Sequence, residues 1–325
     1  MINSTAAFKL LQLGNVKALN TFSYCLPAVP VVLLGRDCGL YYRKLSGDFV
    51  MKNVGITACS NGLKKESAPN YRRLIQTLQD FGCNVKESSC IFEKDSPFSG
   101  SGEQRACQLM KLFSDNETEE IYDVSGGDMA NQVLDLLDYN KIAKSKATFW
   151  GYSDLTTVIN ALYTATGKSS VLYQIRNIVS EYGKLQQRRY LNRDELFNIS
   201  YSFIQGSYTE GVVVGGNIRC FLKLAGTKYF PSLEGKILLL EGLGGQVPQM
   251  VTYLSQLKQL GAFKKVNGIL LGTFTKMEEN NCKPNMEELV KLYAGESIPI
   301  IKTPDIGHNS NAKAIKIGEK HIFKI

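Results

Sequence analysis

The sequence predicts an α/β protein of two domains, an N-terminal Rossmann- or flavodoxin-like domain with a parallel sheet and a C-terminal α/β domain. Three observations lead to this fold class. Short apolar runs alternate with helical patterns from Met51 onward, which is the order of a parallel sheet covered by helices. The 325 residues fit roughly two domains. The 29 glycines suit a chain rich in strands and turns.

The first domain is expected to span residues 51–180. It opens at 51–60 with a strand pattern followed by a turn, and apolar runs of strand length then alternate with longer helical segments. The further strands are expected at 84–88, 120–125 and 147–150, and the helices at 69–81, 102–113, 129–137 and 155–166.

The second domain is expected to span residues 201–325, after a polar, charge-rich linker at 181–200. It continues the alternation and closes with a hairpin through Gly318 and Glu319. Strands are expected at 211–214, 236–240, 266–271 and 298–301, and helices at 248–260 and 285–293. We expect the active site between the two domains.

Residues 1–50 differ from the rest of the chain. They carry no sustained helical or alternating pattern, and Pro27 and Pro30 interrupt their one apolar run. Met51 directly precedes the first strand, and Gly47-Asp48 can be encoded by purine-rich codons of the kind that precede bacterial start codons. We therefore expect an atypical extension outside the native protein, with Met51 as the native start. A genuine extension packed on the first domain is the alternative.

Composition excludes several classes of protein. The 38 Lys and Arg against 30 Asp and Glu give a net charge of +8, but no basic block is present, so we expect no nucleic-acid partner. The eight cysteines show no CxxC pair and no Cys/His metal spacing, which favours a reduced, cytoplasmic protein without a metal ion. No apolar run approaches the roughly 18–20 residues of a membrane span, so we expect no membrane partner.

A candidate nucleophile stands where a strand turns sharply into a helix. Within residues 149–156, FWGYSDLT, Ser153 occupies the apex, from which a hydroxyl projects out of the sheet. The N–H of Asp154 is a candidate oxyanion donor at the helix start. Both residues are also favoured helix N-caps, so capping is the alternative role. The GxSxG elbow is incomplete because Leu155 replaces its second glycine.

A glycine pair is the second candidate oxyanion element. Gly126 and Gly127 follow a strand and open a helix, so their N–H groups can approach a ligand closely. An ordinary glycine-rich turn is the alternative. Phosphate binding is less favoured, because neither a Walker pattern nor a complete GxGxxG is present; the stretch from Gly242 starts like the latter but has Val247 in place of its third glycine.

A carboxylate and an imidazole complete the candidate site. Glu241 ends the apolar strand 236–240, where carboxylates often face a ligand crevice, with a solvated strand end as the alternative. His308 lies in a glycine-containing loop after an apolar strand, with a surface turn as the alternative. His321, the other histidine, fits a surface position better. Ser153, Glu241 and His308 together predict the triad of a serine hydrolase.

Five ordered blocks of this sequence resemble the LD-carboxypeptidase family of serine peptidases. They are GYSDLT at 151–156, ILLLE at 237–241, GHN at 307–309, the double glycine with Leu137-Asp138-Tyr139, and Gly215-Gly216-Asn217 with Leu224 to Thr227. The resemblance runs from about Val54 to the C-terminus. It implies the Ser153–Glu241–His308 triad and oxyanion donors from Asp154 and one glycine of the pair. It also implies two domains, a cytoplasmic homodimer, and no metal or other cofactor.

One departure bears on the substrate. Murein-recycling members carry an arginine before the double glycine, whereas Ser125 stands here, more like the branch of the microcin C immunity proteins. We predict a serine-type LD-carboxypeptidase that cleaves the bond to a C-terminal D-amino acid in a murein-type peptide through an acyl-enzyme. Hydrolysis of a peptidyl- or aminoacyl-nucleotide antibiotic is one alternative. A non-catalytic ligand-binding protein of the same fold is the other.

Overall fold

The structure, a computed structural model, describes residues 51–94 and 96–325. The expectation for residues 1–50 therefore lies outside the described residues. Within the described ranges the chain forms two six-stranded sheets flanked by helices, which confirms the two-domain α/β class. No helix in these ranges is both long and apolar enough to cross a membrane.

The first sheet has the strand order of flavodoxin. Its strands are β1 (Asn53–Thr57), β2 (Asn84–Glu87), β3 (Glu120–Asp123), β4 (Thr148–Gly151) and β5 (Ser170–Leu172). They are parallel and lie in the order β2-β1-β3-β4-β5. In such sheets ligands bind beyond the carboxyl ends of the strands, so the loops that follow β1, β3, β4 and β5 are where a site is expected.

Helices cover this sheet, and those expected at 69–81, 102–113 and 155–166 are present. They are α1 (Ala68–Asp80), α2 (Gly102–Ser114), α3 (Tyr139–Lys144), α4 (Thr156–Thr166), α5 (Gly183–Leu191) and α6 (Arg193–Phe197). Helix α2 starts at a capping box, in which Ser101 accepts the Gln104 N–H and the Gln104 side chain accepts the Ser101 N–H. A cap of this kind contributes about 1 kcal/mol and sets where the helix begins.

The helix expected at 129–137 is a 3-10 segment, Ala130–Leu136, followed by the separate helix α3. Leu137 is extended, and the Asp138 side chain accepts the Lys141 N–H to cap α3. Because Asp138 starts a new helix at this point, the first segment cannot continue as an α-helix.

The second sheet contains a parallel centre with antiparallel edges. Its strands are β6 (Ser202–Gln205), β7 (Tyr208–Asn217), β8 (Ile237–Gly242), β9 (Gly268–Phe274), β10 (Ile300–Lys302) and β12 (Lys320–Lys324). The order is β12-β7-β8-β9-β10-β6, with β7 to β10 parallel. Its helices are α7 (Ile218–Leu222), α8 (Val247–Gln259), α9 (Ala262–Lys265), α10 (Thr275–Glu279) and α11 (Met286–Ala294).

The prediction of a terminal hairpin is wrong, because its two strands do not pair with each other. Strand β11 (Ile315–Ile317) pairs antiparallel with β5 of the first sheet, whereas β12 pairs antiparallel with β7 of the second. Ile315 and Ile317 are buried in the core, while Lys316 between them is only half-buried. The two short strands therefore extend different sheets, because β5 and β7 each offer an edge, and Gly318 makes the crossing between them.

The segment expected as a linker, 181–200, is helical. Helices α5 and α6 lie in it, and Tyr190 and Leu196 are buried in the core cluster that packs under the first sheet. Both helices therefore pack on the first domain, whereas Ser200 at the end of the segment donates its N–H to Asp305 in the loop after β10. The domain boundaries at 180 and 201 stay predictions.

One hydrophobic core holds the two sheets together. It contains Leu155 and Leu172 from the first sheet's side and Leu239 and Ile301 from the second. Each fully buried leucine contributes about 1.5–3 kcal/mol relative to its exposed state. Asn160 on α4 adds a polar tie, since its amide donates to the Gly215 carbonyl and accepts the Gly215 N–H, both at 2.9 Å. The strand ends of both sheets are thereby held in one arrangement.

Candidate active site

Ser153 lies at a strained turn between β4 and α4. Its φ of +56° places a non-glycine residue in the left-handed region, and a short 3-10 turn, Ser153–Leu155, leads into the helix. Such a conformation costs of order 1 kcal/mol and recurs at functional sites. The turn presents Ser153 to a cavity of about 390 Å³ at the carboxyl ends of the strands.

His308 reaches Ser153 from the loop after β10. Its Nε2 lies 3.1 Å from the Ser153 Oγ, within hydrogen-bond distance. The loop approaches β9 so closely that a Cβ on Gly307 would lie 1.7 Å from the Thr273 Oγ1, so only glycine fits there. The side chain of His308 is 9% exposed, which shields the hydrogen bond from bulk water.

Glu241 accepts a hydrogen bond on the other side of the imidazole. Its Oε2 lies 2.8 Å from the His308 Nδ1, and the carboxylate is fully buried. The register between β8 and β9 shifts between Leu240 and Gly242, and irregularities of this kind re-aim a side chain. The structure thus brings the three predicted residues into one hydrogen-bonded series, Ser153 to His308 to Glu241.

Tyr152 packs against this series. Its ring centroid lies 4.6 Å from that of His308, and its hydroxyl donates to the Glu241 Oε2 at 3.4 Å. Burial, together with the negative charge of Glu241, raises the pKa of Tyr152, so the hydroxyl stays protonated and acts as a donor. Tyr152 therefore fixes the carboxylate without competing for the proton of the imidazole.

The glycine pair lines the same cavity, and Asn61 holds it. Asn61 follows β1; its N–H donates to the Gly126 carbonyl at 3.1 Å, and its side-chain oxygen accepts the Asp128 N–H at 3.0 Å. Gly127 has φ +123°, and a Cβ there would lie 2.0 Å from the Asn61 Oδ1, whereas a Cβ on Gly126 would meet nothing within 4 Å. Sequence reasoning missed Asn61, since no local motif marks it.

Gly127→Ala is expected to lower kcat by about 10²-fold, because displacing this turn moves the backbone N–H that the sequence predicts as an oxyanion donor. Gly126→Ala adds the same methyl group into open space and keeps its N–H, so its loss should be much smaller. Steady-state kinetics on both variants make the comparison. Equal losses in the two variants would contradict the role assigned to the Gly127 conformation.

The Asp154 carboxylate joins three segments around the nucleophile. It is fully buried and accepts hydrogen bonds from the Ser60 Oγ at 2.6 Å, the Ala130 N–H at 2.8 Å and the Lys223 Nζ at 2.6 Å. Lys223 also donates to the Asp128 carbonyl at 3.0 Å. The sequence predicted only the N–H of Asp154 as a donor. Its side-chain partners are 24 to 94 residues away, too far for a local signal.

Lys223→Met is expected to lower the free energy of unfolding by about 3 kcal/mol, because it leaves a buried carboxylate without its cation. Lys228→Met is the matched control: its ion pair with Asp135 is exposed on both sides, and such pairs contribute about 0–1 kcal/mol. Urea denaturation measures both. Similar small losses in the two variants would show that the Asp154 ion pair does not hold the turn.

The arrangement supports proton transfer between a hydroxyl and an imidazole. Within the described ranges no group of three or more His, Cys, Asp or Glu is placed to hold a metal ion. The cavity is lined from both sheets by Gly126, Gly127, Tyr152, Ser153, Gln174, Arg176, Asn177, Ser180, Leu243, Gly307, His308 and Asn309. A hydroxyl, an imidazole and a buried carboxylate in series are the arrangement found in serine hydrolases on several unrelated folds.

The family follows from comparison with known proteins. The model of the LD-carboxypeptidase N-terminal domain matches residues 54–173, and that of the LD-carboxypeptidase C-terminal domain matches residues 210–322. The chain therefore belongs to the LD-carboxypeptidase family, and the resemblance seen in the sequence is confirmed.

Two curated proteins of Bacillus subtilis (strain 168) are similar over most of their length. YocD, a carboxypeptidase by name, is 31% identical over 86% of this chain and 94% of its own. A probable murein peptide carboxypeptidase is 26% identical over 78% of this chain and 85% of its own. The microcin C7 self-immunity protein MccF of Escherichia coli is 24% identical over 82% and 89%.

Solved structures share the fold. The MccF-like protein from Bacillus anthracis superimposes with a TM-score of 0.76 at 26% identity, covering 85% of this chain and 94% of that chain. Muramoyltetrapeptide carboxypeptidase from Oxalobacter formigenes does so with a TM-score of 0.71 at 23% identity, covering 84% and 95%. Both kinds of relative thus have the same two-domain architecture as this chain.

Proposed function

We propose that this protein is a serine-type LD-carboxypeptidase that removes a C-terminal D-amino acid from a murein-type peptide. The hydrogen-bonded series of Ser153, His308 and Glu241 facing a cavity carries the proposal. Membership of the LD-carboxypeptidase family supports the substrate class.

In the proposed reaction Ser153 Oγ attacks the carbonyl carbon of the last peptide bond while His308 Nε2 accepts the hydroxyl proton. The imidazolium then gives that proton to the nitrogen of the leaving D-amino acid, and the C–N bond breaks to leave an acyl-enzyme. Water attacks the ester with His308 again as base, releasing the shortened peptide and restoring Ser153. The 3.1 Å distance from Nε2 to Oγ supports direct transfer of the proton.

Glu241 orients the imidazole and stabilises its protonated form. Its Oε2 accepts the Nδ1–H of His308, which leaves Nε2 free to act as the base. Its buried Oε1 has no hydrogen-bond partner among the described residues. The buried carboxylate stabilises the imidazolium that forms during attack.

The N–H groups of Asp154 and of Gly127 are proposed as oxyanion donors. Asp154 directly follows the nucleophile, and Gly127 lines the cavity beside it. Both lie on turns held by the Asp154 carboxylate and Asn61. Donors fixed before reaction stabilise the developing negative charge without a reorganisation cost.

A second candidate is hydrolysis of a peptidyl- or aminoacyl-nucleotide antibiotic. Ser125, the residue before the glycine pair, supports it, because murein-recycling members carry an arginine there. The Ser125 side chain is fully buried, accepts the Ser60 N–H and donates to Asp123, so this position supplies no cation to the cavity. The similarity to the self-immunity protein MccF also supports it. The same Ser153 chemistry would apply to either substrate.

We further propose a cytoplasmic homodimer. Six cysteines lie in the described ranges and all are free thiols, which suits a reducing compartment. Light scattering on the purified protein tests the oligomeric state, and a monomer at micromolar concentration would contradict the dimer.

Two assays test the function. Release of D-alanine from a murein tetrapeptide is measured beside cleavage of an aminoacyl-nucleotide analogue, and the better substrate identifies the activity. A fluorophosphonate probe is expected to label wild-type protein at Ser153 and leave Ser153→Ala unlabelled. A wild-type protein that neither reacts with the probe nor cleaves either substrate would instead be a non-catalytic binder of the same fold.

A further inference from the structure

Arg176 is a cation in the cavity that the proposed triad does not use. It follows β5 in the 3-10 turn Ile175–Val179 and lines the same cavity as Ser153. Its side chain is half-buried. Position 176 is thus at the carboxyl end of a parallel strand, where ligands of such sheets bind.

The guanidinium of Arg176 has no acidic partner among the described residues. Its Nε donates to the Gln174 Oε1 at 3.3 Å, and no ion pair involves it. Burial lowers its pKa, and the charge of Asp123 opposes that shift. Asp123 is itself fully buried and accepts hydrogen bonds from Cys59 and Ser125, so it does not neutralise the guanidinium directly.

The carboxylates near the cavity are already paired with other cations or donors. No aspartate or glutamate is among the described residues that line it. Asp128, which follows Gly127, pairs with Arg219 and Lys223, Asp154 pairs with Lys223, and Glu241 is hydrogen-bonded to His308. A half-buried arginine fork in a cavity without acids favours an anionic ligand group, because charge and hydrogen bonds are then satisfied together.

We infer that Arg176 binds the terminal α-carboxylate of the peptide whose last bond Ser153 attacks. The inference rests on the proposed function and deepens it. In such a substrate the terminal carboxylate lies one residue beyond the reacting carbonyl, within about 4 Å along an extended chain. A planar carboxylate matches the two parallel donors of a guanidinium. Arg176 would thereby select the last peptide bond over internal ones.

The test measures binding in a Ser153→Ala background, where no turnover interferes. Three proteins are compared: Ser153→Ala alone, and Ser153→Ala combined with Arg176→Met or with Arg176→Lys. Each is titrated by calorimetry with the murein tetrapeptide and with its C-terminal amide. We expect the acid to bind about 10- to 100-fold more tightly than the amide, as for a charge-assisted pair. Arg176→Met should abolish that preference and leave the amide affinity unchanged. Arg176→Lys should keep part of the preference, since it keeps the charge and loses the fork.

Arg72→Met is the matched control, because Arg72 is an exposed residue of α1 outside the cavity lining and its loss changes the net charge equally. It should keep the full preference for the acid. Equal affinity for acid and amide with Arg176 present, no binding of either, or a preference that survives Arg176→Met would each overturn the carboxylate assignment.

A further experiment distinguishes a phosphate from a carboxylate as the group that Arg176 binds. Protection of wild-type Ser153 against the fluorophosphonate probe by inorganic phosphate or adenosine monophosphate, but not by the peptide acid, would overturn the assignment in favour of a phosphate. Hydrolysis by wild-type protein is recorded separately. A protein that prefers the acid through Arg176 but does not hydrolyse it would contradict the proposed function and leave the inference on Arg176 standing.

Discussion

Ser153→Ala is expected to lower kcat/KM by about 10⁴- to 10⁶-fold, as removal of the nucleophile does in serine proteases that act through a triad. Without the Oγ no acyl-enzyme can form, and the remaining acceleration comes from the oxyanion donors and substrate binding alone. The fold should be unaffected, since among the described residues the hydroxyl is hydrogen-bonded to the His308 Nε2 alone. Steady-state hydrolysis of the murein tetrapeptide measures the loss, and circular dichroism checks the fold.

Ser153→Gly separates activity from backbone strain. It removes the same hydroxyl but also the Cβ that makes φ +56° unfavourable, so it should gain about 1 kcal/mol of stability over Ser153→Ala. Urea denaturation measures the difference. If both variants retained activity within tenfold of the wild type, Ser153 would not be the nucleophile.

His308→Ala is expected to cost nearly as much activity as Ser153→Ala. In the proposed mechanism the neutral imidazole is the base for the attack, and the imidazolium that it becomes is the acid for departure of the amine. No other described side chain hydrogen-bonds to the Ser153 Oγ. The same peptide assay measures the effect. Adding Ser153→Ala should cost little more, because members of a triad act as a unit.

His321→Ala is the control for that prediction. His321 lies on β12, where its ring bonds the Lys316 carbonyl at 3.3 Å, and it is outside the cavity lining. Its replacement should leave kcat within a factor of about two of the wild type. Additive losses in the Ser153 and His308 double variant, or a large loss in His321→Ala, would contradict the triad.

The residues of the series could be predicted from the sequence because each follows or ends a strand with a local apolar signature. Ser153 follows β4, Glu241 is the second-to-last residue of β8 and His308 follows β10. Parallel strands place their carboxyl ends at one edge, so a pattern read locally implies a shared location. Most of the long helices could be predicted for a similar reason, since capping and hydrophobic periodicity act within a few residues.

The supporting shell could not be predicted in this way. The hydrogen bond from Ser60 to Asp154 spans 94 residues of chain, and that from Lys223 to Asp154 spans 69. Contacts of that range depend on tertiary packing, within the first sheet for Ser60 and between the two sheets for Lys223, and such packing leaves no periodic trace in the sequence. The prediction for Ile315–Ile317 was wrong for a similar reason, because their pairing with β5 also depends on distant parts of the chain. A turn at Gly318 looks local, whereas the partner of each flanking strand lies in a different sheet.

That crossed pairing affects how the chain is assembled during synthesis. Strand β5 keeps an unpaired edge until residues 315–317 have emerged from the ribosome, long after the rest of its sheet has been made. An open edge invites pairing with other chains. A fragment that stops before residue 315 is therefore expected to aggregate, and adding residues 310–325 in trans should restore its solubility. If this protein is divided for production or labelling, strand β5 and residues 315–317 must therefore fold together.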